Sequence, residues 1–212
     1  VDPKGTTSFG LMGASKDDRY MAVSINKAGS DQQDIMLWDL QSMKPMADTL
    51  HWTKFSGVAW YKSGFFYSRF PEPAKGMELK AASLDQKVYY HKVGDPQSKD
   101  ALVWKSLDNP NLYVSVGTTE GEEFATLEVT TGTDGWEESF FDLRKGGIPG
   151  PTSTWTPLQQ GFEHHTSIVA FEPKSAKFLV MTDVDAPRYR LVSVDPAKPT
   201  QADWTDVLPQ KD

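Results

Sequence analysis

Cysteine is absent from this sequence, which excludes disulfide bridges and thiolate metal sites and leaves the redox compartment open. No stretch approaches the roughly 18 consecutive apolar residues that a membrane-spanning helix requires. No signal peptide is visible. The chain begins at Val1 without an initiator methionine, and we therefore expect an excised or processed piece of a longer protein.

Basic runs are also missing. Acidic residues exceed basic ones, 29 to 22, and give a net charge of −7, which argues against a nucleic-acid partner. The G-x-S-x-G motif of α/β-hydrolases does not occur. Amphipathic helical periodicity is nearly absent as well, so helices should contribute little to the fold.

Aromatic residues, by contrast, are abundant: 11 Phe, 7 Tyr and 7 Trp make up 12% of the chain. They favour an ordered, β-rich globule over a disordered chain. The 212 residues are enough to bury a substantial core.

An internal repeat gives the clearest indication of architecture. Apolar segments end at or near Asp39, His91, Asp142 and Asp195, at spacings of 52, 51 and 53 residues. A period of this length is typical of a four-stranded propeller blade. We therefore predict an all-β fold of about four antiparallel four-stranded blades, spanning roughly residues 9–50, 56–105, 112–158 and 165–208. The turn before the second strand of the second blade should use Gly64, which can adopt a positive φ.

Two strings of residues carry a family resemblance. The first is D-x-L-x-x-x-K-F-S-x-x-A-W from Asp48 to Trp60, followed by G-x-F-Y-x-x-x-P. The second is K-V-Y-Y-H-x-x-G from Lys87 to Gly94, followed by Q-S-x-D ending at Asp100. Both resemble the N-terminal β-propeller domain of the prolyl oligopeptidase family.

The resemblance implies that this chain is part of a seven-bladed propeller. The catalytic α/β-hydrolase domain of the same parent would then lie outside it. The parent would be a serine peptidase that cleaves short peptides after proline, without a cofactor. The propeller would cover the active site and admit only small, unfolded substrates. The alternatives are a non-catalytic propeller that binds protein partners and, third, a carbohydrate-active propeller.

Phe55 is the leading candidate for contact with substrate. It precedes the innermost strand of the second unit, and through the K-F-S match it corresponds to an aromatic that lines the peptide pocket in the family. The alternative is an ordinary core aromatic. Tyr113, just before the corresponding strand of the third unit, is a second candidate.

Other polar residues are assigned structural roles. Ser56 lies in a strand context, not in a strand-to-helix elbow, and should pack or bond to the backbone. His164 and His165 are adjacent on a predicted strand, so they should point to opposite faces and bind no metal together. His51 and His91 are interpreted as polar residues at a sheet edge. Three carboxylates precede the third strands of the first, third and fourth units and could serve as the acid and base of a glycosidase: Asp31, Asp134 and Asp185. Gly-Ser-Asp and Gly-Thr-Asp are turn signals, however, so a structural role in turns is favoured.

Four consecutive blades of a larger ring should leave two end faces uncovered, and we expect self-association through them. The residues expected on those faces are Tyr20, Ala22, Leu37, Phe178, Val180 and Val192.

Overall fold

The computed structural model describes residues 6–27, 32–77 and 82–211. Nearly all of its regular structure is β-strand, arranged as four separate sheets of four antiparallel strands. We call the sheets blades 1 to 4 in chain order. The chain divides into two compact units, residues 1–111 with blades 1 and 2 and residues 112–212 with blades 3 and 4. No helix in the described ranges is long and apolar enough to cross a membrane.

The first unit contains two sheets whose strands follow one another in sequence order. Blade 1 consists of β1 (Thr7–Ala14), β2 (Tyr20–Lys27), β3 (Gln33–Asp39) and β4 (Lys44–Leu50). Blade 2 consists of β5 (Ala59–Tyr61), β6 (Gly64–Arg69), β7 (Lys87–Lys92) and β8 (Ala101–Lys105).

The second unit repeats the arrangement. Blade 3 consists of β9 (Tyr113–Thr118), β10 (Phe124–Thr130), β11 (Trp136–Asp142) and β12 (Thr156–Gln159). Blade 4 consists of β13 (Thr166–Glu172), β14 (Lys177–Thr182), β15 (Arg190–Val194) and β16 (Thr205–Leu208). The predicted all-β fold and its four-stranded repeat are therefore confirmed. A four-residue helix, α1 (Leu143–Gly146), follows β11, and the Asp142 side chain caps its first turn.

Each unit is held together by an apolar cluster between its two blades. In the first unit, blade 1 contributes four buried residues and blade 2 three: Ala22, Ile35, Leu37 and Leu50 with Trp60, Phe65 and Tyr67. In the second, three residues of blade 3 pack against four of blade 4: Phe124, Phe140 and Leu158 with Phe178, Val180, Val192 and Val194. Burial of these side chains is the main favourable contribution to the stability of each pair.

The prediction of which residues are exposed on the end faces was wrong. Ala22, Leu37, Phe178, Val180 and Val192 are buried in the two clusters, and Tyr20 is partly buried against the first. Successive strand residues point to opposite sides of a sheet, and the prediction chose the side that meets the neighbouring blade. Exposed apolar side chains lie at other positions. On β1, Phe9 is 77% exposed and Leu11 is 74% exposed, and Met181 and Leu208 of blade 4 are also exposed.

Gly64 also plays a different part from the predicted one. In the turn between β5 and β6 the positive φ, 51°, belongs to Lys62, whereas Gly64 does not have a positive φ and is the first residue of β6. Its missing side chain instead leaves room for the backbone carbonyl of His91 and the hydroxyl of Tyr90.

Candidate functional site

A strained turn presents Phe55 to solvent at one end of blade 2. Phe55 lies in the turn that Ser56 N closes by donating to Thr53 O at 3.0 Å. Its φ is 61°, in the left-handed region that costs a non-glycine residue about 1–2 kcal/mol. Its side chain is 61% exposed, and the Nζ of Lys54 lies 4.7 Å from the ring centroid. The core-aromatic alternative therefore does not apply to Phe55.

Side-chain hydrogen bonds fix this turn from three directions. The backbone carbonyl of Gln33, on β3, accepts from Thr53 Oγ1 at 2.7 Å. Gln86, just before β7, donates to the carbonyl of Lys54 at 3.2 Å. Ser56 Oγ accepts from Ser68 N, at the end of β6, at 2.9 Å. The turn is thus bonded to both blades of the first unit, and these bonds balance the strain at Phe55.

Ser56 uses both hydrogen-bonding functions of its hydroxyl within the fold. Besides accepting from Ser68 N, its Oγ donates to the carbonyl of Gly57 at 2.7 Å. The side chain is buried and has no histidine among its hydrogen-bond partners. This is the backbone-bonding role that the sequence predicts for it.

His91 is at the centre of a buried polar network, contrary to its interpretation as a residue at a sheet edge. It is fully buried on β7, with Nε2 3.0 Å from Asp48 on β4 and Nδ1 2.8 Å from Asp100. Asp48 also accepts from Gly94 N at 2.6 Å, and Asp100 accepts from the hydroxyl of Tyr67 at 2.7 Å. The network joins blade 1 to blade 2.

Two carboxylates decide the protonation of His91. Burial alone would lower the pKa of His91, but the hydrogen bonds to Asp100 and Asp48 outweigh it and raise the pKa above its ordinary value. Both ring nitrogens face carboxylate oxygens, an arrangement that only the doubly protonated ring satisfies. Burial and the adjacent Asp100 likewise raise the pKa of Tyr67.

Tyr113 lies in the second unit and is only half buried. It is the first residue of β9 and pairs in register with Thr130 of β10. The prediction places Tyr113 just before this strand, whereas in the structure it is the first residue of the strand. Phe55 and Tyr113 belong to different units.

Residues from the two strings that carry the family resemblance contact each other in the buried network and form the neighbouring turn. Asp48, His91, Gly94 and Asp100 build the buried network, and Phe55 forms the exposed turn. The family model for the prolyl oligopeptidase N-terminal β-propeller domain matches residues 2–212. The chain belongs to the prolyl oligopeptidase family.

Curated relatives agree with this assignment. The chain is 31% identical to a prolyl endopeptidase of Elizabethkingia meningoseptica over 206 residues, 97% of this chain and 28% of the relative. It is 26% identical to prolyl oligopeptidase A of Galerina marginata, over 98% of this chain and 30% of the relative. The chain thus spans less than a third of the length of these relatives.

Solved structures share the fold over the whole chain. One, from a structural study of two prolyl endopeptidases, matches with a TM-score of 0.84 at 26% identity and covers 29% of that chain. Prolyl oligopeptidase B of Galerina marginata, bound to a 35mer hydrolysis and macrocyclization substrate, matches with a TM-score of 0.85 at 20% identity over 31% of its length. The second likeness shows the propeller fold alone.

The two adjacent histidines of the propeller chain converge instead of diverging. Both precede β13, where the strand alternation that separates neighbours does not apply. The Nδ1 atoms of His164 and His165 lie 3.2 and 3.1 Å from the two carboxylate oxygens of Asp183. Partial burial opposes ionisation of Asp183, but hydrogen bonds from His165 outweigh it and lower the pKa of Asp183. The prediction of opposite orientations was wrong for these two side chains. Within the described ranges, no group of three or more acidic or histidine side chains is suited to a metal ion.

The remaining acidic candidates occupy turns or lie outside the described ranges. Asp134 and Asp185 are exposed in irregular segments, and Asp185 has a φ of 53°. Asp31 lies outside the described residues. The acid in the most unusual environment is Glu138 on β11, directly opposite Glu128 on β10. Burial and the charge of Glu128 raise the pKa of Glu138 well above its ordinary value.

The predicted site residues did not include Arg69, the last residue of β6. It lies on the same side of the strand as Phe65 and Tyr67, and its guanidinium stacks 4.5 Å from the ring centroid of Tyr89. A charged residue in phase with an apolar strand face is the sequence signal that could have identified it.

Proposed function

We propose that this chain is the substrate-admitting propeller portion of a prolyl oligopeptidase-like serine peptidase that cleaves short peptides after proline. Catalysis belongs to an α/β-hydrolase domain of the same parent, and the propeller limits access and contacts the peptide. The observation that carries the proposal is the exposure of Phe55 on a strained turn, since such strain tends to persist at functional positions. Tyr113 is proposed as a second contact.

Phe55 offers an apolar face suited to the ring of proline or to a neighbouring apolar side chain. Large aromatic residues dominate many peptide-binding surfaces because they bury much area and have few rotamers to restrict. The bonds from Gln33, Gln86 and Ser56 hold the turn in place before a peptide arrives, so little ordering cost remains to be met on binding.

The purified 212-residue chain should have no peptidase activity of its own. It lacks the nucleophile motif, and the hydroxyl of Ser56 is fully engaged with the backbone. A chromogenic proline-containing dipeptide measures this, with a complete prolyl endopeptidase as the positive control. Turnover that a serine-directed inhibitor abolishes would contradict the proposed division of labour.

Phe55→Ala should impair peptide handling far more than folding. In a longer protein that joins this chain to a hydrolase domain, we expect KM to rise by about ten-fold for peptides long enough to reach the propeller. A minimal dipeptide substrate should be unaffected. Because Phe55 is exposed, the free energy of unfolding should fall by less than about 1 kcal/mol, compared with about 3–5 kcal/mol for a core phenylalanine.

The matched control for this variant is Met43→Ala, which removes another exposed apolar side chain at a positive φ, in the turn between β3 and β4 of blade 1. It should leave KM unchanged for all substrates. A large fall in melting temperature with unchanged kinetics for Phe55→Ala would assign Phe55 a purely structural role.

A further inference from the structure

Arg69 lies directly beside the turn that carries Phe55. The backbone N–H groups of its two neighbours in the chain both bond to that segment. Ser68 N donates to Ser56 Oγ at 2.9 Å, and Phe70 N donates to the carbonyl of Trp52 at 3.0 Å. Arg69 is therefore anchored between two points of contact with the turn and lies at the same end of blade 2.

The guanidinium of Arg69 has fewer partners than its surroundings require. Its Nε is buried and makes no hydrogen bond, and its contact is the ring of Tyr89, on which it stacks. Across the described ranges, no carboxylate forms a salt bridge with Arg69, whereas Arg144 is paired with Asp142 and Arg190 with Asp206. A buried donor left without an acceptor costs free energy and calls for an explanation.

The surroundings of Arg69 are positive even though the chain as a whole is negative. Its cross-strand partner on β7 is Lys87, and like charges directly opposite each other destabilise a sheet. The carboxylate of Asp85 does not neutralise both, because it is bound to Lys87 at 2.6 Å. Lys54 adds a third cation over the ring of Phe55. In a chain of net charge −7, this end of blade 2 is suited to an anion.

We propose that Arg69 binds a carboxylate of the peptides whose apolar side chains pack on Phe55. The inference rests on the proposed function and adds to it a preference for peptides with an acidic side chain or a free C-terminus. Arginine suits this role because its planar fork can hold both oxygens of a carboxylate. Stacking on Tyr89 fixes the plane of that fork in advance.

Binding of fluorescent short proline-containing peptides to the purified 212-residue chain, measured by anisotropy, tests the inference. The peptides are matched in pairs: Glu against Gln at each non-proline position, and a free against an amidated C-terminus. Together they distinguish the two sources of the carboxylate. We expect one acidic peptide to bind about ten-fold more tightly than its neutral counterpart. Added salt should reduce the difference.

Two variants and a control assign the preference to Arg69. Arg69→Met should abolish the difference between acidic and neutral peptides, while Arg69→Lys should keep part of it. Arg19→Met is the control, because Arg19 also stacks on a tyrosine, at 5.1 Å from the ring centroid of Tyr20. Arg19 lies in the turn between β1 and β2, at the opposite end of blade 1 from the segment leading to Phe55. Its loss should leave the preference intact.

The outcomes separate this inference from the proposed function. Peptides that bind in a Phe55-dependent way, but equally well with Glu or Gln and with either C-terminus, would refute the role of Arg69 and leave the proposed function standing. A preference that survives Arg69→Met would refute it too. If that variant misfolds by circular dichroism, Arg69→Lys decides: a preference for acidic peptides that Arg69→Lys leaves undiminished would refute the role of Arg69. Absence of all binding overturns the inference, and the kinetics of Phe55→Ala then test the proposed function alone.

Discussion

Replacing His91 by alanine should lower the free energy of unfolding by about 3–5 kcal/mol, the usual cost of removing one partner from a buried ion pair. The substitution would leave the carboxylates of Asp48 and Asp100 buried without the cation that lies between them. It would also remove the contact between His91 on β7 of blade 2 and Asp48 on β4 of blade 1. Urea denaturation followed by tryptophan fluorescence measures the loss.

The chain supplies a matched control in His51. Its Nδ1 lies 3.0 Å from Asp34, much like the contacts of His91, but its side chain is 52% exposed. Exposed ion pairs typically contribute about 0–1 kcal/mol, so His51→Ala should have a small effect. Equal losses for the two variants would show that the buried network does not hold the two blades together.

The contribution of His91 to the free energy of unfolding should also depend on pH and should decrease as the pH rises. Because the folded state raises the pKa of His91, its stabilisation is fully present below its unfolded pKa of about 6.5 and is lost as the pH rises through the folded pKa. The charged and titratable groups in its hydrogen-bond network are Asp48, Asp100 and, through Asp100, Tyr67. The stability gap between the unsubstituted chain and His91→Ala should therefore narrow towards alkaline pH. A gap that widened would contradict the protonated state of His91.

The strands were largely predictable because their signals are local. The repeat of about 52 residues predicted four-stranded blades, and the structure has four sheets of four strands. The third strands were likewise found from the period that runs through Asp39, His91 and Asp142. These features can be recognised in the sequence without knowledge of what each blade packs against.

The errors concern contacts between segments that are distant in the sequence. Alternation separates Ala22 from Val23, but it does not tell which side of the sheet faces the next blade. His91 resembles an ordinary polar strand residue, because Asp48, which helps to fix its charge, comes 43 residues earlier. The exposure of Phe55 depends on Gln33 and Gln86, which are also distant in sequence. Aromatic residues are often buried, so the local sequence left a core position open as the alternative for Phe55.

The candidate site was therefore predictable only in part. The K-F-S string identified Phe55 through resemblance, and the structure adds the geometry that makes it accessible. Arg69 was not identified, because the stack on Tyr89 and the missing acceptor for Nε are properties of the folded chain. Both residues lie at the end of blade 2, where the turn before β5 meets the end of β6.

Gly64→Ala should destabilise the chain by about 3 kcal/mol or more, beyond the usual range for overpacking. A Cβ at this position would lie 2.1 Å from the backbone carbonyl oxygen of His91 and 2.7 Å from the hydroxyl of Tyr90. Neither atom can easily retreat. The carbonyl belongs to β7, which is paired in register with β6, and the hydroxyl of Tyr90 donates to the carbonyl of Tyr61 at 2.8 Å.

Gly57→Ala is the appropriate comparison for Gly64→Ala, because a Cβ at Gly57 would have nothing within 4 Å and its φ is not positive. That substitution should be neutral or slightly stabilising, since alanine restricts the unfolded chain more than glycine does. Both variants can be measured in the same urea titration. Equal urea midpoints for Gly57→Ala and Gly64→Ala would mean that the turn at Lys62 can shift and move β6 away from His91. In that case the close contact at Gly64 would not be what fixes the spacing of β6 and β7.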